Sequence, residues 1–160
     1  MRRAVKVLGI AVVVQLCLYA AAQAAKVALR RRAVGEPDPL ADEFDIVNIM
    51  EGTEFASRAG ALRAGTVKNY VGGVEVDLTE VVLAPGGAFL HVETICGGTE
   101  VTVPRGWRVI VRGDAIAGSN ELHGTPEDDL DADSPTLTID ARTVMGELEV
   151  RAAAPARMAV

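Results

Sequence analysis

From residue 44 to residue 151 the chain is written in twos. Val74, Val76 and Leu78 alternate with Glu75 and Asp77, and Ala88, Leu90 and Val92 with Phe89, His91 and Glu93. The same alternation runs through Val101 and Val103, through Val109 and Val111, through Leu137 and Ile139, and through Leu148 and Val150. A period of two puts one set of side chains on each face of a strand, so these segments predict half-buried strands. No helical apolar period appears in this region, and Phe55 to Leu62 alone reads as an ambiguous turn.

The alternation is interrupted at regular places. Tyr70-Val71-Gly72-Gly73-Val74-Glu75-Val76 returns as Ile95 to Val101, as Ile116 to Leu122 and as Val144 to Val150, with a weaker copy from Ile49 to Phe55. The starts lie 21, 25, 21 and 28 residues apart. Each copy leads with an apolar residue and passes through glycine: Gly52, Gly72, Gly73, Gly97, Gly98, Gly118 or Gly146. Glycine tolerates close backbone approach, so one copy predicts strand, glycine corner, strand. A second set of turns follows at Ala84-Pro85-Gly86-Gly87, Pro104-Arg105-Gly106 and Gly124-Thr125-Pro126. Two corners per copy make a coil, and stacked coils bury what one coil cannot. The expected fold is all-β, a β-helix or solenoid-like repeat domain of about four to five coils. A small β-sandwich is the alternative.

Charge divides the chain. Residues 1–32 carry seven basic side chains and no acid; from Ala33 onward nine basic face 22 acidic side chains, a net −13. Val7 to Ala25 is uncharged and long enough to span a bilayer as a helix, with basic residues at both ends. Ala22-Gln23-Ala24 fits a signal-peptidase site, but Lys26 and Arg30-Arg31-Arg32 follow at once and resist translocation, which favours a retained anchor. The expected organisation is an anchor over 1–32, a Pro- and acid-rich linker over 33–43, a β domain over 44–151 and a flexible tail over 152–160. The chain is thus expected to be a single-pass protein of the cell membrane with its β domain cytoplasmic. The acidic body excludes nucleic acid as a partner, because phosphate binding needs a basic patch on the folded domain.

Sites for chemistry are scarce. Cys17 and Cys96 read as small buried hydrophobes, not as a bridge. His91 and His123 lack zinc-ligand spacing, no serine sits in a nucleophile elbow, and the double glycines do not open helices. No cofactor, metal or catalytic residue is expected, and the chain is not expected to be an enzyme. Glu127 to Asp133 holds five acids without the glycine a calcium loop needs, so a solvated mobile insertion is expected. The recurrent glutamate, Glu54, Glu75, Glu100, Glu121 or Glu149, would form a ladder if the copies stack. Such a ladder could bind a basic partner, or could simply keep an outer face soluble. Trp107 is either core packing or an exposed recognition aromatic. A homo-oligomer through end coils is the rival organisation, with the Leu148–Val150 strand as an end.

Y-V-G-G-V-E-V-D-L, I-C-G-G-T-E-V-T-V-P-R-G-W-R-V-I-V-R-G and A-I-A-G-S together resemble the C-terminal domain of the LiaF family, the cell wall-active antibiotics response proteins. The V-P-R-G-W run after a double glycine carries the resemblance best, and the match covers Lys68 to Ser119. It implies a β-rich domain on a membrane protein, without enzymatic activity, acting in envelope-stress signalling. A membrane sensor kinase is the partner it implies. Those relatives carry several membrane helices, whereas this chain has one apolar run.

Overall fold

The computed structural model describes residues 36–153. The expected anchor, its Ala22-Gln23-Ala24 site, Cys17 and most of the expected tail lie outside the described residues. Among the described residues no helix is long and apolar enough to cross a membrane.

The described chain is all-β. Its strands are β1 (Glu43–Asn48), β2 (Glu51–Ala56), β3 (Ala64–Asp77), β4 (Ala88–Val103), β5 (Arg108–His123) and β6 (Thr136–Ala152), with one short 3-10 turn at Glu127–Asp129. The strand–corner–strand unit read from sequence is real, but the ladder does not stop at the corner. From β3 onward each copy is one long strand that bends in the middle. Its burial shows why the bend matters. In β4, Ala88, Leu90, Val92 and Thr94 are buried, then Thr99, Val101 and Val103. The buried positions change parity across Ile95–Gly98. The bend therefore keeps the inner faces of both arms turned to one core, where Val67, Leu78, Val101, Leu137, Ile139, Leu148 and Val150 are fully buried.

All pairings are parallel and in repeat register. The order across the sheet is β1-β3-β4-β6-β5, with β2 alongside the second arm of β3. The last two copies are thus exchanged: β6 runs between β4 and β5. The strand holding Leu148 and Val150, expected at an end, lies inside the sheet, and both residues are fully buried. The long interval before β6 has its reason here, since residues 124–135 must carry the chain back from β5 to the interior. Its acids stand in solvent, yet the segment is held: Arg108 lies 3.9 Å from Glu127 and donates to the Asp131 carbonyl at 3.3 Å.

The two ends differ. At the β1/β2 end, Phe44 and Phe55 meet with ring centroids 4.9 Å apart, and both are buried. Gly65 leaves room for this plug, because a β-carbon there would stand 2.5 Å from Phe44 Cζ. The chain before β1 also folds over this end, with the Pro39 carbonyl accepting from the Arg58 amide at 2.7 Å. At the other end β5 has no neighbouring strand beyond it among the described residues, and none of its residues is buried.

Candidate functional site

The bend is built by two rows of residues. Asn48, Asn69, Thr94 and Thr143 pair in register, ending at Ala115 on β5. The four polar members are buried. Each precedes its corner by three residues. Three positions on lies the second row: Glu51, Gly72, Gly97, Gly146 and Gly118. Turning the backbone here leaves carbonyls that the ladder cannot use, and buried carbonyls need donors. The asparagines supply them. Asn48 Nδ2 donates to the Glu51 carbonyl at 2.8 Å and to Asn69 Oδ1 at 3.0 Å. Asn69 Nδ2 donates to the carbonyls of Gly98 at 2.8 Å and Gly72 at 3.1 Å. Further along, Thr94 and Thr99 share a hydroxyl bond at 2.8 Å, and Thr143 Oγ1 donates to Asn120 Oδ1 at 2.7 Å. The sequence reading missed this row. Its signal was present, an Asn or Thr three residues ahead of the corner in four copies.

The glycine row explains why the corner takes no side chain. At Gly72 and Gly97 φ is +114° and +134°, and a β-carbon would stand 2.2 and 2.0 Å from the preceding strand's carbonyl oxygen. At Gly146 and Gly118 the same contact would be 2.0 and 1.7 Å. Gly52, Gly73 and Gly98 are different, and their expected role as structural glycines needs correcting. A β-carbon at any of them meets nothing within 4 Å. The register agrees, since Glu147 and Ser119 occupy the equivalent place on β6 and β5.

Past the bend the recurrent glutamates line up as one row: Glu54, Glu75, Glu100, Glu149 and Glu121. Neighbouring strands lie about 4.8 Å apart, so adjacent carboxylates repel by roughly 1 kcal/mol or less in water. Part of that repulsion is offset. Arg151 bonds Glu149 and reaches Glu100 at 3.3 Å. His123 Nε2 lies 3.3 Å from Glu121 and 3.5 Å from Glu149 and offsets charge when protonated. The Arg151 hydrogen bond holds the Glu149 carboxyl below its ordinary value, and Glu149 in turn raises the Arg151 guanidinium. No basic side chain among the described residues pairs with Glu54 or Glu75. Between the rows lies a shallow groove of about 250 Å³ floored by Gly73 and Gly98 and walled by Glu75, Glu100, Glu147 and Glu149. The arrangement presents a line of five carboxylates at strand spacing, two of them, Glu54 and Glu75, without counter-charge among the described residues. It can attract a basic, extended surface; it holds no nucleophile–base pair.

Other expected site residues fall elsewhere. Trp107 is 6% exposed and belongs to the core, so it is not an exposed recognition aromatic. Cys96 is a free thiol, only partly buried, at the outer side of the bend. His91 stands on the opposite arm, 3.4 Å from Asp140. Among the described residues no cluster of His, Cys, Asp and Glu is placed to hold a metal ion.

Compared with known proteins, residues 54–150 match one family, described as cell wall-active antibiotics response LiaF, C-terminal. That span begins at the first glutamate of the row and ends in β6. No curated protein and no solved structure gives a match.

Proposed function

Because the chain belongs to the LiaF C-terminal family of cell wall-active antibiotics response proteins, we propose that it is a membrane-anchored, non-enzymatic interaction protein of the cell-envelope stress response. In this reading Val7 to Ala25 is a retained single-pass helix, and the β domain is a short solenoid-like stack in the cytoplasm. The stack displays its glutamate row to a basic segment of a membrane partner, a sensor kinase being the class the family suggests. The observation that carries the reading is the row itself. Five like charges in register weaken a sheet, and Glu54 and Glu75 keep theirs without compensation. A face that costs stability and serves no packing is explained by what it meets. Rim charges of this kind steer encounter and set specificity.

The test is capture from detergent-solubilised envelope membranes, with the full chain as bait. The paired change Glu54→Lys and Glu75→Lys should lower recovery of a basic membrane partner by roughly tenfold, and raised salt should lower it further. Stability should change by no more than about 1 kcal/mol, and not downward from the loss of any contact, since both side chains are exposed. Equal recovery by wild type and variant at all salt concentrations would refute the ladder as the docking face. Release of the full chain by alkaline carbonate would refute the anchor.

A further inference from the structure

The outer face of the second arm carries an inference that rests on the glutamate reading and adds the shape of the partner. Alternate residues of a strand share a face, and three rows follow one another on this one. The first stands at the outer vertex of the bend and is apolar: Met50, Val71, Cys96 and Met145. The second is Gly52, Gly73 and Gly98, and the third is the glutamate row. The same outward order, apolar, glycine, glutamate, is thus written on three neighbouring strands. The first two rows have no use inside the fold. Met50, Val71 and Met145 are 78%, 43% and 58% exposed. Met50 also holds φ +59°, the only non-glycine with positive φ among the described residues, in a region where a large side chain is uncommon. The glycines answer no steric need, since a β-carbon at any of them would meet nothing within 4 Å, and glycine inside a strand weakens it. What the three provide together is a trough with an apolar wall on one side and a carboxylate wall on the other. It stops at β6, where Glu147 takes the place of the glycine. Exposed apolar surface gathered in this way marks a contact surface.

The two walls define the occupant: it is apolar on one side and basic on the other. Rows four residues apart lie about 13 Å apart along a strand, which admits a helix about 10–12 Å across with its side chains. The period of the trough makes the same choice. Strands recur along it every 4.8 Å or so, whereas a helix brings one face round every 5.4 Å or so and an extended chain about every 6.7 Å. Across three strands a helix drifts out of step by about 1 Å and an extended chain by about 4 Å. A lipid surface matches poorly, because the carboxylates would face anionic headgroups. We infer that the glycine trough seats a basic amphipathic helix, with its apolar stripe on Met50, Val71 and Met145 and its Lys or Arg side chains on Glu54 and Glu75. This is recognition of a helix in a groove. The unpaired carboxylates stand at the open end of the trough, where the counter-charge is missing.

The probe is a fluorescent synthetic peptide of about fifteen residues, with leucine and lysine at helical spacing. It is titrated by anisotropy against the full chain in nonionic detergent, with protein-free detergent as the blank. A peptide of the same composition, with leucine and lysine strictly alternating, is the comparison. The helical peptide should bind about tenfold tighter or more. Gly73→Gln with Gly98→Gln fills the trough from positions that face open space, and should weaken the helical peptide about tenfold or more. Val71→Thr with Met145→Gln strips the apolar wall at exposed positions, and should weaken it about fivefold or more. The two pairs are independent, so if one melts early the other decides. Failure of the helical peptide to bind would overturn the inference, and so would equal binding of the two peptides or wild-type binding by the folded variants. If Glu54→Lys with Glu75→Lys still loses the peptide in that last case, the glutamate row stands as a docking face and only the trough falls. If that pair also binds as wild type does, both readings fall.

Discussion

Gly97 and Gly98 are neighbours in sequence and should behave oppositely. At Gly97 an alanine β-carbon would stand 2.0 Å from the Gly72 carbonyl oxygen, and φ is +134°. The obstacle is backbone in the middle of a parallel ladder, so it cannot swing aside. Strain at such a backbone conformation costs about 1–3 kcal/mol. Overpacking against an immovable neighbour adds about 1–3 kcal/mol. Gly97→Ala should therefore cost roughly 2–6 kcal/mol, a large part of the roughly 5–15 kcal/mol that holds a domain together. At Gly98 the β-carbon meets nothing within 4 Å, and φ is not in the left-handed region. Gly98→Ala should be neutral or stabilising by up to about 1 kcal/mol, because alanine restricts the unfolded chain. Thermal melts of the full chain in detergent, followed by far-ultraviolet circular dichroism, read the difference. For a body of this size it should exceed about 8 °C. Equal melting of the two variants would refute the assignment of the bend to the first glycine of each pair.

Asn69→Ala should destabilise by about 1–3 kcal/mol, because it removes the donor that reaches the Gly72 and Gly98 carbonyls; a urea melt within 0.5 kcal/mol of wild type would mean water satisfies them. Trp107→Ala should cost about 3–5 kcal/mol as a core truncation, and a surface-like effect in the same melt would return Trp107 to the candidates for recognition. The Arg151 bond lowers the Glu149 carboxyl in the folded state, so its contribution is present above the ordinary value of 4.5 and is lost as pH falls through the lowered one. Carboxyl NMR titration should place the Glu149 midpoint below 4.5 in wild type and higher in Arg151→Ala; identical midpoints would remove Arg151 as the cause.

What the sequence disclosed followed from locality. Alternation within a strand and glycine within a corner are read over a few residues, and both were legible. The glutamate row was legible for the same reason, because repeats that stack in register bring equivalent positions together whatever the order of stacking. That invariance also hides the order. Every copy offers the same apolar inner face and the same corner, so β6 fits between β4 and β5 as well by pattern as beyond β5. The one local trace of the exchange was the acid-rich stretch of residues 124–135, which reads as an insertion and serves as the return path. The two glycines of each pair were given one role for a related reason. A pair of glycines looks alike in sequence, but only the first of each pair aims its missing side chain along the stacking direction, at a carbonyl of the next strand. Copies without a pair carried the answer: Gly146-Glu147 and Gly118-Ser119 keep the first glycine and fill the second place. The buried Asn and Thr row follows from the same geometry, since a bend that needs glycine also turns carbonyls away from the ladder. An end of the stack has no such local signature. Phe44 and Phe55 close one end because they are aromatic at inner positions of the first copy. On β5, Val109, Val111 and Leu122 repeat the interior pattern unchanged, so nothing in the local sequence distinguishes a strand at this edge from one in the interior.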